Sequence, residues 1–257
     1  MFPISDPDLS RRSTPYVNIG IIAISGLIFF WELVLGPTDR QLLFYKWGLI
    51  ADELAHGHSF EVLEGPLGAS FDIKSPIPTW GTVFTSMFLH ADVLHFVFNM
   101  IFLWVFGDNV EDRLGHVKYL LFYLGAGVAA AWAQVAINMD AQVPMIGSSG
   151  AIAGVLGGYL LMYPYSQVRT AIFFFFITFV RIPAAWLLGF WILLQFWGGI
   201  GDLGPSAQSG GTAYWAHIGG FAAGLLGIAG FKLLVWRDRL WPRRPSPYGF
   251  WPPDDRH

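Results

Sequence analysis

Long apolar runs alternate with shorter polar stretches along this chain, and the length of each run decides what it becomes. A helix needs about 20 consecutive apolar residues to cross the hydrocarbon core of a bilayer. The first such run extends from Val17 to Leu35. A polar segment with several acids, glycines and prolines follows from Gly36 to Thr79, and at that length it reads as a small structured cap. The next apolar stretch begins near Trp80, with its crossing part placed at Ala91 to Phe106. A third span covers Gly115 to Ile137, and a fourth covers Ser148 to Tyr163 and stops at Pro164.

The region after Pro164 reads in two ways. The run Ala171 to Val180 is rich in Phe and β-branched residues but too short to cross, and Arg181 and Pro183 interrupt it. It is taken as an interfacial approach to a fifth span at Ile182 to Trp197; the alternative is one long helix kinked at Pro183. A sixth span runs from Thr212 to Trp236. The expected fold class is therefore an all-α, six-helix membrane bundle. Residues 1–16 form a cytoplasmic N-terminal segment, 17–236 the membrane domain with its long outer loop at 36–79, and 237–257 a Pro-rich cytoplasmic tail read as disordered.

Composition agrees with that class. Hydrophobic residues make up 54% of the chain and charged residues only 13%, about half the charged share of a soluble domain. The net charge of -3 comes with no basic stripe, so nucleic acid is excluded as a partner and the lipid bilayer is the expected surroundings. With no cysteine, disulfides, thiolate metal sites and thiol catalysis are ruled out. Residues Met1 to Tyr16 resemble neither a transit peptide nor a cleavable signal, which points to a bacterial-type plasma (inner) membrane.

Lys and Arg set the expected orientation. With the N-terminus inside, the inner segments hold Arg11, Arg12, Arg113, Lys118, Arg169, Arg181 and the basic residues from Lys232 onward. The outer segments hold only Arg40, Lys46 and Lys74, so both ends are placed in the cytosol.

Ionisable groups at membrane depth are costly and mark function. Here they are Glu32 in the first span, His90 and His95 near the second, and His217 in the sixth; the neutral polar groups include Asn99, Ser148, Ser149 and Gln195. Spans two, four and six run in the same direction, so their N-terminal ends share the outer side. His95 and Asn99 lie one helical turn apart on one face. Ser149 opens span four, and His217 lies about five residues, or roughly 8 Å, into span six.

Two glycine series bring these helices together: Gly150, Gly154 and Gly158 in span four, and Gly220 and Gly224 in span six, preceded by Ala216. Such faces allow close backbone approach in lipid. A serine hydroxyl needs a base to become a nucleophile, and neutral imidazole is the usual one. No carboxylate stands in span six or beside His217, so the expectation is a Ser149–His217 dyad and not a triad. The helix N-terminus at Ser149, the Asn99 amide and the His95 ring are candidate oxyanion donors.

These residues fall into three motifs. The run from His90 through His95 to Asn99 resembles the second-helix motif of the rhomboid family. Gly147-Ser148-Ser149-Gly150 resembles the G-x-S-G of its catalytic serine. Ala216-His217 through Gly220 to Gly224 resembles the A-H-x-x-G-x-x-x-G of its catalytic histidine. The resemblance covers roughly Gly81 to Gly230. It implies an intramembrane serine endopeptidase that uses Ser149 and His217, without metal or other cofactor, on single-span membrane-protein substrates cut near the outer face. It implies oxyanion stabilisation by His95, Asn99 and the Ser149 N–H, with His90, Gly147 and Gly150 as supporting residues. Some members stack a tyrosine on the histidine from four residues after the serine; that position here is Ala153.

Blander readings stand beside these. Five residues from His95, His90 sits about 140° round a helix and is expected to face elsewhere, with a purely structural role and a supporting one both open. Glu32 is expected to reach water, and Glu111 and Arg113 to anchor an inner loop. The Gly-rich segment Gly198 to Gly211 is expected to be a mobile cover beside a fifth span that shifts to admit substrate. The alternative functions are a non-proteolytic binder of transmembrane helices and a transporter built on His90, His95 and His217. Oligomeric state is not legible in the sequence.

Overall fold

The computed structural model describes residues 2–7, 9, 12–65, 68–173, 177–203 and 212–235. Strand β1 (Phe2–Ser5) leads into helix α1 (Tyr16–Val34). Between α1 and the next long helix lie α2 (Pro37–Trp47), α3 (Ala51–His56), a hairpin of β2 (Val62–Glu64) and β3 (Ser70–Asp72), and α4 (Thr79–Thr85). Helix α5 (Val93–Phe102) continues through a π turn at Leu103–Gly107 into α6 (Asp108–Leu114), and α7 spans His116–Ile137. Then come α8 (Ser149–Met162), β4 (Gln167–Phe173), β5 (Ile177–Pro183), α9 (Ala184–Gly201) and α10 (Tyr214–Val235).

Among the described residues, five helical stretches are long and apolar enough to cross a membrane: Tyr16–Val34, Val93–Leu114, His116–Ile137, Ala184–Gly201 and Tyr214–Leu234. Their outward faces carry Leu27, Trp186, Trp197 and Leu226, all largely exposed, as lipid-facing surfaces require. The protein is a multi-pass membrane protein. Helix α8 is different. Its 14 residues reach about 21 Å, short of the ~30 Å hydrocarbon core. Every residue from Gly150 to Tyr159 is buried, so α8 meets other helices instead of lipid.

The π turn has a local cause. Asn18 of α1 inserts beside Gly107, where a Cβ would collide with its side chain. Its Nδ2 donates to the Leu103 carbonyl at 3.0 Å, and the Tyr119 hydroxyl donates to its Oδ1 at 2.6 Å. The carbonyl released from the regular ladder is thus satisfied without water.

The region between α8 and α9 corrects the sequence expectation. It is a β-hairpin that ends where the next helix begins, not part of one long helix kinked at Pro183. Strands β4 and β5 pair antiparallel from Gln167↔Pro183 to Phe173↔Ile177, and β1 adds to the other edge of β4. Alternating aromatic and β-branched residues favour this pairing, and the extended Pro183 (φ -55, ψ 136) ends β5 and caps α9. The fifth helix accordingly begins at Ala184 and not at Ile182. The N-terminal segment is tied in as well: the Asp6 carboxylate accepts from Ser166 Oγ at 2.6 Å and from the Tyr159 hydroxyl. The tail from Trp236 onward lies outside the described residues.

Candidate active site

The approach to α8 is held by the segment that precedes α5. Leu49 and Met145 exchange backbone hydrogen bonds of 3.0 and 2.7 Å, and the Gly147 N–H donates to Ser86 O at 2.8 Å. Gly147 has φ +121, and a Cβ there would come within 2.6 Å of the His95 ring. Only glycine satisfies both conditions. Ser148 is the N-cap, yet its side chain makes no cap bond. Its Oγ lies 3.2 Å from His90 Nε2 instead, and Ser149 is the first residue of the helix.

His217 lies in the first turn of α10, with Nε2 2.7 Å from Ser149 Oγ. The glycine faces create this proximity. A Cβ on Gly220 would overlap the Gly150 carbonyl oxygen, and one on Gly224 would overlap that of Gly154. Gly157 lies against the Phe221 carbonyl in the same way. Gly158 differs from the expected series: it faces the side chains of Phe122 and Ile228. Gly150 also abuts α7, where its Cβ would stand 2.7 Å from Ala130 Cβ.

Asp92 caps α5 by accepting from the His95 N–H at 2.9 Å, which sets the first turn in place. The His95 ring packs on Gly147, next to Ser149. Asn99, one turn further on, is buried, and its Nδ2 has no hydrogen-bond partner among the described residues. A buried amide N–H with nothing to bind is uncommon and costly.

Two expectations are overturned here. His90 precedes α5, so helical rotation does not apply to it, and its ring is fully buried 5.3 Å from that of His95. Its Nδ1 faces Phe88 O at 3.2 Å, so Nδ1–H donates there and Nε2 accepts from the Ser148 hydroxyl. Glu32 does not reach water. It is 0% exposed, and its carboxylate accepts the His90 backbone N–H at 3.2 Å, tying α1 to the turn before α5.

Glu111, also fully buried, accepts from the Val17 and Asn18 N–H groups at 3.0 and 2.7 Å and bonds His116 at 2.5 Å. It caps α1, whose own N-cap is Pro15 without a side-chain bond.

Sequence reasoning noticed Gln195 as a polar residue but gave it no partner. In the structure its Oε1 is 2.8 Å from His217 Nδ1. Trp191, one turn earlier on α9, places its ring 5.8 Å from that of His217. The only signal in the sequence was an amide at membrane depth four residues after a tryptophan. The glycines at 198–201 are not a loose cover, since they belong to α9. Gly198 packs under the Tyr214 ring, and the Gly199 carbonyl accepts from Trp215 Nε1 at 3.2 Å. Residues 204–211 of that segment lie outside the described residues. Among the described residues no group of three His, Asp or Glu converges as a metal site.

The fold and this cluster define a class: a polytopic helical membrane protein with a half-buried serine–histidine contact between its helices. A Rhomboid domain family model matches residues 78–233, which is more than half of the chain, so the protein belongs to the rhomboid family. It is 26% identical over 149 residues to Rhomboid protein 1, mitochondrial, of Saccharomyces cerevisiae, covering 56% of this chain and 40% of that protein. It is 37% identical over 81 residues to Rhomboid protease GluP of Bacillus subtilis, covering 32% of this chain and 15% of that protein. RHOMBOID-like protein 6, mitochondrial, of Arabidopsis thaliana is 30% identical over 172 residues, or 64% and 48% of the two chains. The chain thus spans less than half the length of each of these relatives.

Proposed function

We propose that this protein is an intramembrane serine endopeptidase in which Ser149 is the nucleophile and His217 its base. The observation that carries the reading is the 2.7 Å contact between Ser149 Oγ and His217 Nε2 at the N-terminus of a buried helix. In the reaction, Nε2 takes the hydroxyl proton as Oγ bonds to the scissile carbonyl carbon. The resulting oxyanion is met by the Ser149 N–H, the Asn99 amide and the His95 ring. Because the Ser148 hydroxyl is engaged with His90, it does not compete for the first-turn amides of α8. Collapse returns the proton from Nε2 to the leaving amine, and water then releases the acyl group from Ser149 by the same path.

In this reading α8 is the fourth of six membrane segments and both chain ends are cytoplasmic. The site then opens a few ångströms below the outer face of a bacterial-type plasma membrane. The substrates are single-span membrane proteins, whose helices unwind most easily near that face. Cleavage of a generic transmembrane substrate in detergent tests it: wild type cuts, and Ser149→Ala and His217→Ala do not. Normal cleavage by either variant refutes the dyad. Retained substrate binding without cleavage by the wild type would favour a non-proteolytic binder of transmembrane helices.

A further inference from the structure

The rhomboid dyad as read from the sequence has no third member, yet the His217 ring is held on its far side. A neutral imidazole carries its proton on one nitrogen only. To act as base toward Ser149, His217 must present the Nε2 lone pair, so the proton must sit on Nδ1. Nothing in Ser149 or His217 enforces that choice, because a hydroxyl both donates and accepts.

Gln195 supplies the missing constraint. Its amide orientation is decided by its own contacts: Nε2 donates to the Trp191 carbonyl at 3.3 Å, which turns Oε1 toward the ring. At 2.8 Å from Oε1, Nδ1 has a partner that can only accept. Exchanging the tautomer would set two lone pairs against each other. Flipping the amide to relieve this would set Oε1 against the Trp191 carbonyl. The two choices are therefore locked together. Gln195 is buried, 9% exposed, and contributes an uncharged acceptor where a carboxylate would carry a heavy desolvation cost. Trp191 lies on the same face one turn away, with its ring near that of His217. This support comes from α9, not from position 153, where Ala153 has no ring to offer.

We propose that Gln195 is the positioning residue of this site: its Oε1 accepts from His217 Nδ1–H and holds the ring in the tautomer that faces Ser149 with a free Nε2 lone pair. The proposal rests on the reading of Ser149 and His217 as a dyad. Its test begins with the full-length wild type in detergent, labelled with ¹⁵N-histidine. At neutral pH the His217 ring should show a protonated Nδ1 and an unprotonated Nε2; a predominant Nε2–H form overturns the proposal without any variant. Kinetics follow on a fluorogenic single-span substrate. Gln195→Leu should lower kcat about tenfold with KM unchanged, as expected for losing one orienting hydrogen bond. Gln195→Glu, as the neutral acid, donates its O–H to the Trp191 carbonyl and keeps a carbonyl acceptor for Nδ1, so it should recover kcat to within about threefold of wild type. Unchanged kcat in Gln195→Leu, or equal loss in both variants, reduces Gln195 to packing. Cleavage by Ser149→Ala would instead remove the nucleophile reading, and the ring tautomer would still decide the role of Gln195.

Discussion

Consider the replacement Gly220→Ala. Gly220 stands three residues after His217, and its Cα faces Gly150, the neighbour of Ser149. A methyl group added there would overlap the Gly150 carbonyl oxygen and lie 3.0 Å from its carbon, with Ala130 Cβ only 3.3 Å away on the other side. The collision is with backbone, which no rotamer change relieves. Restoring ordinary contact parts α8 and α10 by about 1 Å. That carries the 2.7 Å Ser149–His217 contact to about 3.7 Å, beyond hydrogen-bonding reach. A misplacement of this size costs on the order of 100-fold in rate. The overpacking itself should cost about 1–3 kcal/mol of stability. The control is Gly230→Ala on the same helix, where an added Cβ meets nothing within 4 Å. It should keep full activity and gain up to about 1 kcal/mol from helix propensity. The assay is turnover of a single-span substrate together with thermal melting in the same detergent. Wild-type turnover and melting in Gly220→Ala would refute the argument that backbone contact at these glycines sets the site.

Two further outcomes are expected. Glu111→Ala removes the acceptor for the Val17 and Asn18 N–H groups, so it should destabilise the protein by about 1–3 kcal/mol, read from unfolding in mixed micelles, while Glu111→Gln loses much less. The contacts of α3 should depend on pH. The hydrogen bond to Asp52 raises His56 above its ordinary 6.5, so the stability it adds is fully present below about pH 6.5 and is lost as pH rises through the folded value. Asp52 is held below its ordinary 3.8, first by the Gln142 amide and also by His56, so its contribution is present above that value and lost as pH falls through the lower folded one. Amide-exchange protection of α3, corrected for intrinsic rates, should be greatest between about pH 4 and 6.5. His56→Ala should abolish the upper limb, and an unchanged profile in that variant would contradict the pairing.

Much of this protein is local information. Run length marks the apolar helices, because spanning a bilayer depends only on length and composition within one segment. The polar set of Ser149, His217, His95 and Asn99 could be read as well, since each is conspicuous in an apolar setting. The β4–β5 hairpin was not legible, because a run such as Ala171 to Val180 suits a strand or a helix until something pairs with it. Here each strand of the hairpin pairs with the other, and β1 adds to β4 from the far end of the chain. His90 and Glu32 were misjudged for a related reason: each was assessed on its own helix, yet they meet across 58 residues of sequence.

Tertiary structure alone decided what stands behind His217. Gln195 is 22 positions away on a different helix, and a lone amide in an apolar run carries no sign of which way it points. Periodicity places a side chain on a face of its own helix. Only the approach of α9 to α10 determines what that face touches.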